Sequence, residues 1–212
     1  MKKLLRLCLL FSAFAGLARA ESLTYVVVHG ATAGGWEWKT TANFLEADGH
    51  TVHRATLTGL GERIHLASPD IDLETHSNDV VNLILFEDLH DIVLTGHSYG
   101  GMVITGVADR ATDRIANMVY LDAAYPMDGQ SLVDVAGELM AEARESSRTI
   151  DGVELVLFPG EDPMDFYGVT EPDQIEWMKP KLTPHPFKCF QQKLELGNEA
   201  AMRELPQTMI VT

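Results

Sequence analysis

The chain has 212 residues, with 31 acidic residues against 16 basic ones and a formal net charge of −15. This length suits one domain with a sizeable core. So acidic a chain would be repelled by nucleic acid and by anionic membranes, which we therefore exclude as partners. The composition leaves the oligomeric state open.

The first twenty residues are typical of a secretory signal peptide. Lys2, Lys3 and Arg6 form a positive start, residues 7–17 are a short apolar run, and Ala18-Arg19-Ala20 is a small-x-small cleavage sequence. The apolar run is shorter than the roughly 20 residues of a membrane span. We therefore expect residues 1–20 to be removed and the remainder, 21–212, to be exported to the periplasm or the extracellular space.

Strands and helices are predicted to alternate along this remainder. Predicted strands cover 24–28, 51–57, 91–96, 116–123 and 207–212, and predicted helices run from Trp36 to Gly49, over 76–89, and from Ser98 to about Arg110. The strands are almost continuously apolar, which favours an α/β fold with a mostly parallel sheet and helices on both faces. Between about 125 and 205 the pattern loosens, with helical stretches at 131–145 and 188–203. We interpret this segment as an inserted helical cap over the carboxyl ends of the strands.

A serine flanked by glycines follows the third predicted strand. Gly96-His97-Ser98-Tyr99-Gly100 has the pattern G-x-S-x-G between a strand and a helix, which is typical of a nucleophile elbow. On such a sharp turn, side chains two residues either side would collide with neighbouring backbone. Ser98 is therefore the candidate nucleophile.

Acyl transfer also needs hydrogen-bond donors at the developing oxyanion. The elbow offers the N–H of Tyr99, and the glycine-rich loop after the first strand offers the N–H of Ala31. His29 precedes the elbow and is expected to brace that loop. Trp36 and Trp38 either line a pocket or belong to the core.

Four segments carry a resemblance to a known family: "YVVVHGATAGGWEWKTTANFLEADGHTV", "TLTGLGER", "IVLTGHSYGG" and "MVYLDAAYPMDGQS". They resemble the α/β-hydrolase superfamily, and within it the group of plant methylesterases, hydroxynitrile lyases and bacterial esterase relatives. The lyases of that group typically have threonine where Gly30 stands and glutamate where His97 stands. Both differences place this chain with the esterases.

The residue that would take the proton from Ser98 has two possible sources. In this fold the catalytic residues follow one another along the chain in the order serine, acid, histidine. His185 is the one histidine after Tyr99, so Ser98, Asp122 and His185 could form a catalytic triad in that order. The resemblance instead implies an acid directly after the strand 207–212 and a histidine one strand and helix later. That implies an acid and a histidine beyond Thr212, and a domain that lacks the last strand and helix of the fold.

The favoured function is a serine hydrolase that cleaves a small or aromatic carboxylic ester through an acyl-enzyme on Ser98. The alternatives are a hydroxynitrile lyase, which Gly30 and His97 disfavour, and a non-catalytic ligand-binding member of the fold. A dinucleotide site is excluded because residues 54–57 include no acidic side chain and no Tyr-x-x-x-Lys follows. We expect a small ester as the partner, no cofactor, and no metal, since no Cys/His metal spacing is present.

Overall fold

Five parallel strands form the central sheet of the computed structural model, which describes residues 22–156, 164 and 167–212. They are β1 (Thr24–Val28), β2 (Thr51–Ala55), β3 (Ile92–His97), β4 (Ile115–Leu121) and β8 (Gln207–Ile210). Their spatial order is β2-β1-β3-β4-β8, and each neighbouring pair is parallel. The prediction of an α/β fold with a mostly parallel sheet is confirmed. The expected leader, 1–20, lies outside the described residues.

The central strands are buried as their apolar sequences require. Val26, Val28 and Leu94 have no exposed surface, and neither do Met118 and Tyr120 of β4. A strand covered on both faces cannot alternate polar and apolar residues, because both sets of side chains enter a core. The edge strand β8 differs, since Met209 and Ile210 are about half exposed.

Three helices connect the parallel strands: α1 (Lys39–Ala47), α2 (Leu73–Phe86) and α3 (Gly100–Arg110). Right-handed crossovers place α1 on one face of the sheet and the contacting pair α2 and α3 on the other. Helix α2 begins three residues before the predicted start because Asp72 forms a capping box with Thr75. A 3₁₀ turn over Gly35–Trp38 precedes α1, so the α-helix proper begins after Trp38.

The inserted segment between β4 and β8 is not purely helical, and that part of the prediction is wrong. Its described helices are α4 (Leu132–Ala136), α5 (Glu138–Glu145), α6 (Pro172–Met178), α7 (Lys188–Gln191) and α8 (Glu199–Arg203). It also contains an antiparallel sheet of β5 (Arg148–Ile150), β6 (Val153–Val156) and β7 (His185–Pro186). Residues 157–163 and 165–166 of the predicted cap lie outside the described residues.

Local backbone geometry explains these differences. Asp151 and Gly152 have φ values of 52° and 82°, the geometry of a two-residue hairpin turn, so the sequence Asp-Gly joins β5 to β6. The predicted helix 131–145 breaks at Gly137, whose φ is 44°. The predicted helix 188–203 is the two short helices α7 and α8.

The chain reverses its direction of travel along the sheet between β1 and β3. From β1 it moves outward to β2, and from β3 it moves the opposite way to β4. Ligands of open parallel sheets bind outside the carboxyl ends of the strands at such a reversal, where diverging loops leave a crevice. The loop after β1 and the turn after β3 meet there. None of the described helices has the length and apolar character that a membrane crossing needs.

Candidate active site

Ser98 lies on a strained turn between β3 and α3. Its φ is 52°, in the left-handed region that a serine rarely adopts, at a cost of about 1–3 kcal/mol. The surrounding backbone holds it there: the N–H of Ser98 donates to Leu121 O over 3.2 Å, and the N–H of Ala124 donates to Ser98 O over 3.0 Å. The predicted turn geometry is present, and the hydroxyl lies at the carboxyl edge of the sheet.

Three glycines make the turn possible. A Cβ on Gly96 would lie 2.6 Å from Gly100 O, and one on Gly100 would lie 2.8 Å from Val28 O. A Cβ on Gly101 would lie only 2.0 Å from Ala124 O. Each of these distances is shorter than a van der Waals contact to backbone, so the predicted steric need for glycine around Ser98 is confirmed.

The loop after β1 approaches the elbow closely. A Cβ on Gly30 would lie 3.0 Å from His97 Nδ1 and 3.3 Å from Ser98 Cβ. Within the described residues, neither the N–H of Ala31 nor that of Tyr99 donates a hydrogen bond, so both remain available to a ligand. Their role as oxyanion donors stays a prediction. A threonine at position 30, as the lyases have, would force His97 or Ser98 to move.

Glu37 links the loop after β1 to the residue before Ser98, a role that the sequence alone did not indicate. The N–H of Gly30 donates to Glu37 Oε2 and His97 Nδ1 donates to Glu37 Oε1, each over 2.8 Å. Burial lowers the pKa of His97, but the hydrogen bond and charge of Glu37, with the charge of Asp122, outweigh it and raise that pKa. The carboxylate therefore ties the loop to the residue before Ser98.

His29 braces the loop, as the sequence predicted. Its Nε2 accepts from the N–H of Leu57 over 3.1 Å, so its Nδ1 carries the proton and donates to Gly30 O over 2.8 Å. Burial lowers the pKa of His29 and keeps this ring neutral.

Tyr99 points its side chain into the core, where His76 holds it. Thr58 O can only accept, so His76 Nε2 donates to it and His76 Nδ1 accepts from the Tyr99 hydroxyl, each over 2.9 Å. Burial lowers the pKa of His76 to about 4, which keeps Nδ1 free to accept. The anchored side chain fixes the backbone on which the Tyr99 N–H lies.

One buried cluster has the residue types of a metal site. Ligand atoms of His76, His185 and Cys189 lie within 4.8 Å of one another. Both nitrogens of His76 already have hydrogen-bond partners, and burial raises the pKa of the Cys189 thiol, which disfavours the thiolate that metals require. The donor set therefore fits a neutral packed cluster better than a metal centre.

The described residues do not assemble Asp122 and His185 around Ser98. The Asp122 carboxylate accepts from both the N–H and the hydroxyl of Thr212. His185 is fully buried, and its Nδ1 accepts from the N–H of Thr32 over 3.3 Å. Its full burial places the His185 side chain in the packed interior rather than at the solvent-exposed face of the cap.

The two tryptophans of the loop have different surroundings. Trp38 is 7% exposed and belongs to the core. Trp36 contacts Trp177 of α6 edge to face, with 5.4 Å between ring centroids. These two rings line a cleft of about 290 Å³ at the junction of loop and cap.

The contact of Gly101 with Ala124 predicts a matched pair of stability effects. Gly101→Ala should lower the free energy of unfolding by about 2 kcal/mol or more, because the added methyl overlaps a carbonyl. Gly197→Ala meets no atom within 4 Å and should change it by less than about 0.5 kcal/mol. Urea denaturation of both variants measures this, and equal effects would contradict the steric account of the elbow.

The raised pKa of His97 predicts a pH-dependent contribution to stability. Since the folded pKa lies above the unfolded value of 6.5, the stabilisation is complete below that value and is lost as pH rises through the folded pKa. The stability difference between the wild type and His97→Asn should therefore be larger at about pH 6 than at about pH 9. The same comparison in a Glu37→Gln background should show a weaker pH dependence. A stability difference between the wild type and His97→Asn that grows with pH would contradict a raised pKa for His97.

Comparison with known proteins gives the family. The sequence profile of the alpha/beta hydrolase family matches residues 25–211. A carbendazim hydrolyzing esterase of Nocardioides sp. (strain SG-4G) is 37% identical over 85% of this chain and 76% of its own length. The pFDCC methylesterase MES16 of Arabidopsis thaliana is 28% identical over 89% of this chain and 75% of its own.

Solved structures agree with the sequence relatives. An extracellular alpha/beta-hydrolase from a Paenibacillus species superposes with a TM-score of 0.72 and 27% identity, covering 89% of this chain and 77% of the other. The resemblance to an esterase group is confirmed, as is the expectation of an ester hydrolase at the level of these relatives. With its parallel sheet, its glycine-flanked serine turn and this match, the chain belongs to the alpha/beta hydrolase family.

Proposed function

We propose that this protein is a serine hydrolase that cleaves small or aromatic carboxylic esters through an acyl-enzyme on Ser98. The observation that carries the proposal is the left-handed turn at Ser98, which faces the loop after β1 at the reversal point of the sheet. The names of the relatives, a carbendazim hydrolyzing esterase and a methylesterase, support esters as the substrate class. The methylesterase among these relatives makes methyl esters the first substrates to examine.

In this mechanism the Ser98 oxygen attacks the ester carbonyl carbon while a base takes the hydroxyl proton. The carbonyl oxygen becomes an oxyanion, which accepts hydrogen bonds from the N–H groups of Ala31 and Tyr99. The C–O bond to the alcohol then breaks, the alcohol leaves with the proton, and water hydrolyses the acyl-enzyme by the same steps in reverse. Ala31 and Tyr99 suit this role because their N–H groups have no other acceptor among the described residues.

In this mechanism neither Asp122 nor His185 serves as the acid or the base of Ser98. Their bonds support this: Thr212 donates to the Asp122 carboxylate, and His185 is buried with its Nδ1 accepting from the N–H of Thr32. The chain spans about three quarters of the length of the two relatives. The lyase alternative stays disfavoured, because a side chain at Gly30 would meet His97.

The decisive variant is Ser98→Ala in protein expressed from the complete reading frame of the gene. Hydrolysis of an aryl methyl ester should fall by about 10⁴-fold or more, since only oxyanion stabilisation and binding would remain. Ser22→Ala is the matched control, because Ser22 precedes β1 at the opposite end of the parallel strands. An unchanged rate in Ser98→Ala, with the fold intact, would refute the proposal.

Protein of residues 21–212 alone tests the source of the base. We expect it to hydrolyse the ester slowly, because neither Asp122 nor His185 is placed to take the proton from the Ser98 hydroxyl. Full activity of the shorter protein, lost on Asp122→Asn, would instead place the base and its partner within these residues. A protein that binds the ester but hydrolyses it in neither form would favour the non-catalytic alternative.

A further inference from the structure

The segment 183–186 returns from the cap across the glycine loop after β1 and a second glycine loop, which follows β2 and contains Gly59 and Gly61. The N–H of Thr183 donates to Thr32 O over 2.9 Å, and the Thr183 hydroxyl accepts from the N–H of Gly61 over 3.0 Å. His185 Nδ1 accepts from the N–H of Thr32. Thr32, the residue after the proposed oxyanion donor Ala31, is thus bonded through both its N–H and its carbonyl to one short piece of chain.

Two prolines fix the shape of that piece. Pro184 and Pro186 restrict the residues before them to extended backbone, so both Thr183 and His185 are held extended before any tertiary contact forms. His185 also pairs with Val156 in the antiparallel sheet of the cap. The His185 side chain is therefore attached to backbone that has little freedom to move.

Thr32 needs such support. Its φ is 59°, in the left-handed region, which costs a β-branched residue more than most. Besides the bonds to Thr183 and His185, its hydroxyl bonds the Tyr167 hydroxyl over 2.9 Å. All three contacts come from the cap segment, more than 130 positions away in sequence. The conformation of the loop after β1 thus depends on the cap.

His185 is a neutral acceptor in this arrangement. Since its Nδ1 accepts from Thr32, the proton lies on Nε2, which is buried without a hydrogen-bond partner among the described residues. Burial, followed by the nearby rings of His76 and His29, lowers the pKa of His185 well below 6.5. Its ring also packs on Tyr99 and Phe190, with centroid distances of 4.8 and 4.4 Å. The His185 imidazole therefore contacts Thr32, which follows the proposed oxyanion donor Ala31, and it also contacts the side chain of Tyr99, the other proposed donor.

We propose that His185 is a positioning residue for the ester hydrolysis, holding the Ala31–Thr32 turn through the Thr32 N–H so that the Ala31 N–H faces the oxyanion. This inference rests on the proposed function and extends it to a residue that touches neither substrate nor Ser98. A buried acceptor on a rigid segment keeps the loop preorganised, and displacing such a donor by about 1 Å can cost as much as 10²-fold in rate.

Two substitutions separate the hydrogen bond from the packing. His185→Asn places an amide oxygen close to the position of Nδ1 and can still accept from Thr32. His185→Phe keeps an aromatic ring against Tyr99 and Phe190 but has no acceptor. In protein from the complete reading frame, kcat for an aryl methyl ester should fall about tenfold or more in His185→Phe, with KM within about twofold. In His185→Asn, kcat should stay within about threefold of wild type.

Amide hydrogen exchange gives a readout that does not depend on catalysis. The Thr32 amide should exchange at least about tenfold faster in His185→Phe than in wild type or His185→Asn, while the amides of Val26 and Val27 in β1 keep their protection. The exchange measurement tests the role of His185 even if Ser98→Ala leaves the rate unchanged. That result would refute the proposed function but not the hold of His185 on the Thr32 N–H.

Two results would overturn the inference. One is unchanged protection of the Thr32 amide in His185→Phe. The other is an equal loss of kcat in His185→Asn and His185→Phe that follows their loss of thermal stability, since this would show that His185 serves packing alone.

Discussion

The close approach of the loop after β1 to the turn after β3 is the constraint on which the rest of the site depends. It requires that Gly30 and Gly100 carry no side chain, because a Cβ on either would press on His97, Ser98 or the backbone of β1. The approach also brings together polar groups that need partners once buried. The Glu37 carboxylate is such a partner, because it accepts hydrogen bonds from the Gly30 N–H and from His97 Nδ1. The left-handed backbone of Ser98 is held from the other side, by its hydrogen bonds with Leu121 and Ala124.

The cap takes part in this arrangement through hydrogen bonds as well as apolar packing. Thr183 and His185 bond the backbone of Thr32, and Thr183 also bonds Gly61 of the second glycine loop. The loop that faces Ser98 is therefore held from two sides, by Glu37 from the core domain and by residues 183–185 from the cap. The geometry of the proposed oxyanion hole therefore depends on residues of the cap as well as on the core.

Local patterns were sufficient to predict the sheet and the elbow. Continuous apolar runs identify buried strands, and G-x-S-x-G between a strand and a helix identifies the turn, because both depend on adjacent residues. Glu37 and the contact of His185 with Thr32 could not be predicted in this way, since their partners lie 60 and 153 positions away. The hairpin of β5 and β6 had a local signal, the Asp-Gly pair at 151 and 152, which the interpretation of a helical cap overlooked.

We propose that Ser98 and the N–H groups of Ala31 and Tyr99 form one preorganised acyl-transfer site. A crystal structure of protein from the complete reading frame tests this after reaction with an aryl phosphonate, whose tetrahedral phosphorus mimics the ester intermediate. We expect a phosphonate bonded to the Ser98 oxygen, with its phosphoryl oxygen about 2.7–3.1 Å from both backbone nitrogens. A phosphonate on another residue, or a phosphoryl oxygen turned away from Ala31 and Tyr99, would contradict it.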